Sequence, residues 1–360
     1  MNRPYSFLFI SLILSIAFLT NTPSLLSKDV YGDGLFMEQL SASLGDRKAD
    51  LLIKMNPPIV TTETIQEQSQ KPTVQFRLFD SATDNNFKEV TYLITIEKDG
   101  ETLLSDWFFN PNGNLTIQMQ PRNQNDISVY GQLDPILNAY TSREGSPVVA
   151  AGPIFLEGGL YHFTVRIVTV DYSRTIIPDD QQPEFDSWLS IGAAKNTNLT
   201  INGEKLPVKV LSYYDEIGNI TYDQGSKSIN FTMPFNYDLE RINDPKNTVF
   251  VHQEIEVPVP SPLSAAGGYR GYANGEDVTN TLMVDGNNQT KDVVHFMMTK
   301  PVVLQIAKEY LKNNDNKTNG LMTFSLITSK NGSMPMGGPM DMNMTSEMNM
   351  SMSMNNMSMN

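Results

Sequence analysis

The chain has no cysteine among its 360 residues. This absence excludes a disulfide framework, a thiol nucleophile and a blue-copper centre, because that centre needs a thiolate ligand. Basic residues are also few, since 26 Lys and Arg stand against 40 Asp and Glu and give a net charge of −14. An acidic chain with scattered positive charges repels phosphate backbones. Nucleic acid is therefore not expected as a partner.

Long hydrophobic runs are missing as well. The longest one, residues 7–19, follows a single positive charge at Arg3 and precedes small residues at Ser24 and Ser27. It is shorter than the roughly 18 to 20 residues of a membrane-spanning helix, but it suits a secretory signal. We therefore expect residues 1–27 to be a signal peptide or, if uncleaved, an anchor that makes the chain's only membrane contact. The mature protein is expected outside the cell or at the cell surface.

Sequence motifs of common enzymes are absent too. The chain has no GxSxG, HExxH or P-loop motif and no GxGxxG after a strand. Carboxylates are plentiful, but nothing in the sequence pairs them. We therefore predict that the protein is not an enzyme. An enzyme would become plausible if His252 or His295 lay in a deep cleft beside convergent carboxylates.

What the sequence does contain is a succession of short strand patterns. In TVQFRLFD, which starts at Thr73, apolar residues alternate with polar ones, as in a half-buried β-strand. Asp99-Gly100 and Asn202-Gly203 each separate two such patterns and favour the positive φ of a two-residue hairpin turn. Regularly spaced strands bounded by Gly, Pro, Asn and Asp are typical of β-sandwiches.

The predicted fold class is all-β, with two immunoglobulin-like β-sandwich domains at residues 28–194 and 195–329. Tyr161 lies two residues ahead of Phe163, the offset of the tyrosine corner found in immunoglobulin-like domains.

One short helix is predicted in the second domain. PVVLQIAKEYLKNN, starting at Pro301, has proline in its first turn and apolar residues on one helical face. The pattern predicts that this helix packs on a sheet.

Several stretches of the first predicted domain stand out, namely DGLFMEQLSASLGDRKADLLIKMNPP, QFRLFD, VTYLITIEKDG, GGLYHFTVRIVTVD and PEFDSWLSIG. Two stretches of the second predicted domain carry the same resemblance, namely VKVLSYYDEIGNITYD and VHQEIEVPVP. Together, over about residues 31–330, they resemble the exported β-sandwich envelope proteins of ammonia-oxidising archaea. This resemblance implies a surface protein in a copper-dependent metabolism, with other envelope or copper proteins as possible partners. It implies no catalytic residues.

The C-terminus concentrates the soft donors of the chain. Eleven of the 20 methionines lie in the last 27 residues, at Met334, Met336, Met340, Met342, Met344, Met348, Met350, Met352, Met354, Met357 and Met359. Placed on a helix they would cover nearly the whole circumference, whereas in an extended chain the even-numbered ones project to the same side. The intervening Asn, Ser and Thr offer too little apolar surface for a core, so residues 330–360 are predicted to be a disordered tail.

Thioether sulfur is a neutral, soft donor that selects Cu(I) among the available metals. It has no proton to lose in acid and is not consumed by disulfide formation. At three or four sulfurs per ion, the tail has ligands for roughly three Cu(I) ions. The sequence therefore predicts an exported protein that captures, stores or hands on Cu(I). The alternatives are scavenging of oxidants by methionine, a structural or adhesive envelope glycoprotein, and a biased extension without a role.

The chain has three histidines. His295 and Met297 in VVHFMMT project to the same side of a predicted strand, an H-x-M pairing that suits copper. The alternative is an ordinary sheet histidine beside a core methionine. His162 and His252 are interpreted as exposed residues on polar strand faces, although the HxExE pattern that starts at His252 could hold a divalent ion.

Asn-x-Ser/Thr acceptors occur about twice as often as the roughly five expected by chance. Six lie in the predicted domains, at Asn114, Asn198, Asn219, Asn230, Asn288 and Asn316, and four more lie in or next to the tail. These six are candidate glycosylation sites if the protein is exported.

Overall fold

The computed structural model describes residues 35–67, 71–247, 249–264, 268–288 and 290–329, without the side chains of residues 286–288. The predicted signal peptide or anchor and the predicted methionine tail lie outside the described residues. Within those residues, no helix has the length and apolar character needed to cross a membrane.

The first half of the described chain forms two six-stranded sheets. Sheet I contains, in spatial order, β1 (Met37–Leu44), β2 (Arg47–Asn56), β3 (Thr73–Asp80), β6 (Asn114–Pro121), β10 (Val148–Gly152) and β7 (Ser128–Tyr130). Sheet II contains β12 (Glu184–Ile191), β11 (Gly159–Thr169), β4 (Val90–Lys98), β5 (Glu101–Asn110), β9 (Ala139–Thr141) and β8 (Gln132–Asp134). Neighbouring strands are antiparallel except β6 with β10 and β5 with β9.

The second half forms two five-stranded antiparallel sheets. Sheet III contains β13 (Ala193–Ile201), β14 (Glu204–Ser212), β17 (Val251–Pro258), β21 (Lys291–Met298) and β20 (Leu282–Asn288). Sheet IV contains β15 (Thr221–Asp223), β16 (Ser228–Asn236), β22 (Asn319–Thr328), β18 (Tyr269–Ala273) and β19 (Glu276–Asp277). The described α-helices are α1 (Thr62–Gln66), α2 (Leu239–Asn243) and α3 (Lys300–Asn313).

Each pair of sheets encloses one hydrophobic core, because alternate residues of every long strand point inward. In β3, for example, Phe76 is fully buried, whereas Arg77 faces outward and remains partly exposed. Sheets III and IV meet at a cluster of buried rings in which Phe231 stacks on Phe324 with centroids 4.7 Å apart and Phe296 packs edge-on. The structure therefore contains two face-to-face β-sandwiches.

The all-β prediction is confirmed, and several local predictions match the structure. Asp99-Gly100 and Asn202-Gly203 join strand pairs with positive φ at both residues. The predicted helix is α3, which begins at Lys300. Tyr161 Oη donates to the carbonyl oxygen of Glu157 at 2.9 Å, a contact of the tyrosine-corner kind. The immunoglobulin-like topology itself and the domain boundary remain predictions.

The expectation of a single helix was wrong. The five-residue helices α1 and α2 were not predicted, because one turn is too short to show a helical period.

The two sandwiches belong to one compact unit. The chain passes between them at Gly192, and side chains bridge the junction elsewhere. Glu38 of β1 is 1% exposed and accepts from the Arg241 guanidinium of α2, with Nη2 at 2.5 Å. Lys246 donates to the buried Asp50 at 2.9 Å. Because these charges are paired across the junction, its polar side chains hold the sandwiches together.

Candidate metal centre

Four side chains form a square on the outer face of sheet III, the face turned away from the core. His252 and Glu254 lie two residues apart on β17, and His295 and Met297 lie two residues apart on β21. In the register of the two strands, His252 is opposite Met297 and Glu254 is opposite His295. Neighbouring strands lie about 4.8 Å apart and residues i and i+2 about 7 Å apart, so all four side chains share one small area.

Three donor atoms of the square already converge. His252 Nε2 and His295 Nδ1 are 3.0 Å apart. Glu254 Oε1 lies 3.6 Å from His252 Nε2 and 3.5 Å from His295 Nδ1. The three residues therefore form a group of donors that could hold a metal ion.

The three separations can be compared with the needs of one ion. For bonds of about 2.0 to 2.1 Å, they correspond to ligand–metal–ligand angles of about 95°, 115° and 120°. These angles lie around the tetrahedral value of about 109°, and three protein ligands leave one position open. The geometry thus fits a four-coordinate ion with little rearrangement, and Met297 lies opposite His252 in the strand register.

Tyr213, which follows β14, supports two of these donors. Its Oη donates to Glu254 Oε1 at 2.9 Å. Its ring stacks on His252 with centroids 4.6 Å apart and planes at 19°. Contacts of this kind fix the orientation of ligating side chains and raise metal affinity.

The centre is largely shielded from water. The side chains of His252, Glu254 and His295 are 6%, 18% and 14% exposed. Burial alone would raise the pKa of Glu254, but hydrogen bonds from His295 and Tyr213 and the charge of both imidazoles outweigh it and lower this pKa. These interactions favour the ionised form of Glu254, which is the form that can ligate a metal.

Replacing Tyr213 by phenylalanine is expected to weaken metal binding by about 10- to 100-fold. The change keeps the ring on His252 and removes only the hydrogen bond to Glu254. Competition of wild type and variant against a chelator would measure the difference. Replacement of Tyr222, which lies on sheet IV, by phenylalanine is the control and should leave affinity unchanged; equal affinities for all three proteins would contradict a positioning role for Tyr213.

The structure places the predicted His295 and Met297 on one face with His252 and Glu254, two further candidate donors that had been interpreted as exposed polar residues. The interpretation of His252 as exposed was wrong, because the residue is 5% exposed. Its HxExE pattern was a usable signal, but the partner histidine is 43 residues away in sequence. Met283 of β20 lies opposite His295, and it was not predicted as a candidate donor.

His162 lies apart from this centre, on sheet II. Its ring nitrogens are 3.2 Å from Glu97 Oε2 and 3.0 Å from Asp186 Oδ1, and its ring stacks on Trp188. The strand pattern had suggested a solvated residue, but the structure shows that His162 contacts all three of these neighbours.

A second group of acidic residues is less suited to bind a cation. The carboxylate oxygens of Asp99, Glu157 and Glu216 lie close together, but a lysine side chain lies beside them. Lys98 Nζ contacts Asp99 at 2.6 Å and Glu216 at 3.1 Å. This ammonium group offsets one of the three negative charges and contacts two of the carboxylates, so the cluster is less suited to a cation than the group on sheet III.

The eleven tail methionines named above lie outside the described residues. Of the candidate glycosylation sites, Asn114, Asn198, Asn219 and Asn316 are exposed. Asn230 is half-buried, and its amide nitrogen donates to Ser228 Oγ at 2.9 Å. The side chain of Asn288 lies outside the described residues.

No family model, no curated protein and no solved structure matches the chain. Fold and site alone therefore define the class, which is an all-β protein with a bis-histidine, carboxylate cluster on a sheet face.

Proposed function

We propose that the protein binds copper as an exported or cell-surface protein that captures, stores or hands on Cu(I). The methionine tail collects the ion and the centre on sheet III holds one. The observation that carries this proposal is the convergence of His252, Glu254 and His295, whose donor atoms are 3.0 to 3.6 Å apart.

The donor set favours copper over the other common ions. Imidazole suits copper and zinc, whereas Ca²⁺ and Mg²⁺ prefer sites made of oxygen ligands. Met297 at the fourth corner and Met283 beside His295 add soft thioethers, which select Cu(I) over zinc. The tail is rich in the same donor. The chemistry of the described centre and that of the tail thus point to one metal.

A Cu(I) competition titration under reducing conditions tests the proposal. The full chain is compared with a chain that ends at Gly332, which keeps the centre and lacks the tail. We expect about one ion bound by the shortened chain and roughly three more by the full chain, from the coordination numbers of soft ligands. A shortened chain that binds no copper would refute the centre, and equal stoichiometry in both chains would refute the tail as a collector.

The second candidate function is a structural or adhesive envelope glycoprotein with no metal role. The exposure of Asn114, Asn198, Asn219 and Asn316 favours it, since a glycan needs an accessible amide. Metal analysis of protein from reducing, copper-replete growth separates the two candidates. Copper in the purified protein supports the first, whereas metal-free protein with occupied acceptors supports the second.

A further inference from the structure

We propose that residues 330–360 dock in a groove on the outer face of sheet III and pass Cu(I) to the centre within the same chain. This inference rests on the proposed function, and it names the partner of the centre as the chain's own tail.

The groove borders the centre. It is lined by Asn196, Asn198, Lys209, Glu256, Pro258 and Lys291. Glu256 lies two residues from the ligand Glu254 on β17, on the same face. Lys291 pairs with Glu256 at 2.7 Å and lies on the same strand as His295. A chain segment in the groove would therefore end next to the three donor atoms.

The described chain ends on the side of the sandwich where the groove begins. Thr328, the last residue of β22, pairs with Tyr269 of β18. Tyr269 Oη crosses to sheet III and donates to Asp292 Oδ2 at 2.9 Å. Asp292 is adjacent to Lys291, which lines the groove. The described chain thus ends on sheet IV at the end of the sandwich where Lys291 lines the groove.

The reach of the tail matches the distance to the centre. Packed sheets lie about 10 Å apart, and three residues of β21 between Asp292 and His295 add about 10 Å, so the path is on the order of 20 Å. An extended chain spans at most about 3.3 to 3.6 Å per residue, which gives roughly 17 Å from Ser329 to Met334 and roughly 24 Å to Met336. Met336 and every later methionine can therefore reach the centre.

The groove chemistry suits this occupant. Asn196 and Asn198 offer amides to the Asn, Ser and Thr side chains of the tail. Transfer is a ligand exchange in which neutral thioethers leave and neutral imidazoles and the Glu254 carboxylate enter. Copper stays Cu(I), so no oxidant or reductant is needed, and the proton between His252 Nε2 and His295 Nδ1 moves to the other nitrogen of its ring.

Docking can be tested on the full chain without metal. Because the chain lacks cysteine, Ser353→Cys gives a single site for a nitroxide label. Ser353 is 24 residues beyond Ser329, and an undocked chain of that length spreads over about 27 Å in all directions. We expect selective broadening of the amide signals of Asn196 and Asn198 in the NMR spectrum, with little change at Thr221 on sheet IV.

Matched variants sharpen this measurement. Asn196→Trp fills the groove and should abolish the selective broadening, whereas Thr221→Trp, at an equally exposed strand position on sheet IV, should leave it unchanged. Equal broadening on sheets III and IV, or none, would overturn docking. Broadening in an isotope-labelled chain that is mixed with a separate spin-labelled chain would show a second copy as the occupant and would overturn it too.

Transfer is tested by following the histidine ring signals after addition of less than one equivalent of Cu(I). In the full chain, the time for copper to reach His295 should not change on tenfold dilution. When the chain ending at Gly332 is mixed with a separate 333–360 peptide loaded with Cu(I), transfer should slow about tenfold on the same dilution. Equal dilution dependence in both systems would overturn transfer within one chain.

The two proposals fail in different ways. If the shortened chain binds Cu(I) but docking fails, only this inference falls. If docking is seen but the centre binds no copper, the proposed function falls.

Discussion

Replacing His295 by alanine is expected to weaken copper binding at the centre by on the order of 100-fold or more. Changes to residues that merely support a ligand cost about 10- to 100-fold, so loss of a ligand should cost at least the upper end of that range. The variant leaves His252 Nε2 and Glu254 Oε1, which are 3.6 Å apart, as the only converging donors of the three. Chelator competition on the chain ending at Gly332 measures the effect without a contribution from the tail.

The chain supplies a matched control. His162→Ala removes an imidazole that is 23% exposed and also held by carboxylates, but it lies in the other sandwich. We expect less than a twofold change in copper affinity for this variant and the same large loss for His252→Ala as for His295→Ala. Circular dichroism would show whether each variant keeps its β-structure. Equal copper affinities for folded His162→Ala and His295→Ala would contradict the centre.

The local fold could be predicted because each signal is contained in a few neighbouring residues. The alternation around Phe76 and the Asp99-Gly100 turn act within one strand or one hairpin, and the structure shows both. The helix after Pro301 has a long enough apolar stripe to be recognised. Helix α2, by contrast, has one turn, and its position depends on packing against α3. Tertiary contacts of that kind leave no periodic pattern in the sequence.

The candidate metal centre could be predicted only in part, for a similar reason. The sequence places His295 and Met297 on the same side of a strand, but the strand that pairs with β21 and the register of that pair are long-range properties. A shift of one residue would turn His252 and Glu254 toward the core, because the side-chain period of a strand is two. The buried residues Val251 and Ile255 fix the register by filling the core between the sheets. The centre is thus a consequence of core packing.

The burial of His252 has a similar origin. Its own strand pattern is polar, with Glu254 and Glu256 on the same face, and polar faces are usually exposed. The ring of Tyr213, which follows the neighbouring strand β14, stacks on His252 with centroids 4.6 Å apart and shields it. A residue distant in sequence therefore contributes to the solvent exposure of His252.

Replacing Glu38 by glutamine is expected to destabilise the protein by about 3 kcal/mol, the lower end of the range for breaking a buried ion pair. Glu38 is 1% exposed, and Arg241 is only 19% exposed. The carboxylate also accepts from the backbone N–H of Trp188 at 2.8 Å. The amide of glutamine has one acceptor oxygen instead of two, so one of these buried donors loses its partner. Urea unfolding followed by tryptophan fluorescence would measure the loss.

The control for this prediction is an exposed ion pair that also joins an arginine to a carboxylate. Arg270 and Asp277 are 2.7 Å apart with side chains 49% and 46% exposed, and exposed pairs of this kind contribute little to stability because solvent screens them. Arg270→Gln should therefore shift the unfolding midpoint only slightly. If the two variants unfolded at the same urea concentration, the buried pair would have no special role at the junction.

A double-mutant cycle assigns the effect to the pair itself. Arg241→Met removes the other charge while retaining an apolar side chain of similar length. In the Glu38→Gln variant, Arg241→Met should lower the free energy of unfolding by less than it does in the wild type. The guanidinium then has no buried counter-charge to lose. Since neither residue touches the centre, copper binding by all three variants should equal that of the wild type. A change in copper affinity would instead show that the junction and the outer face of sheet III are coupled.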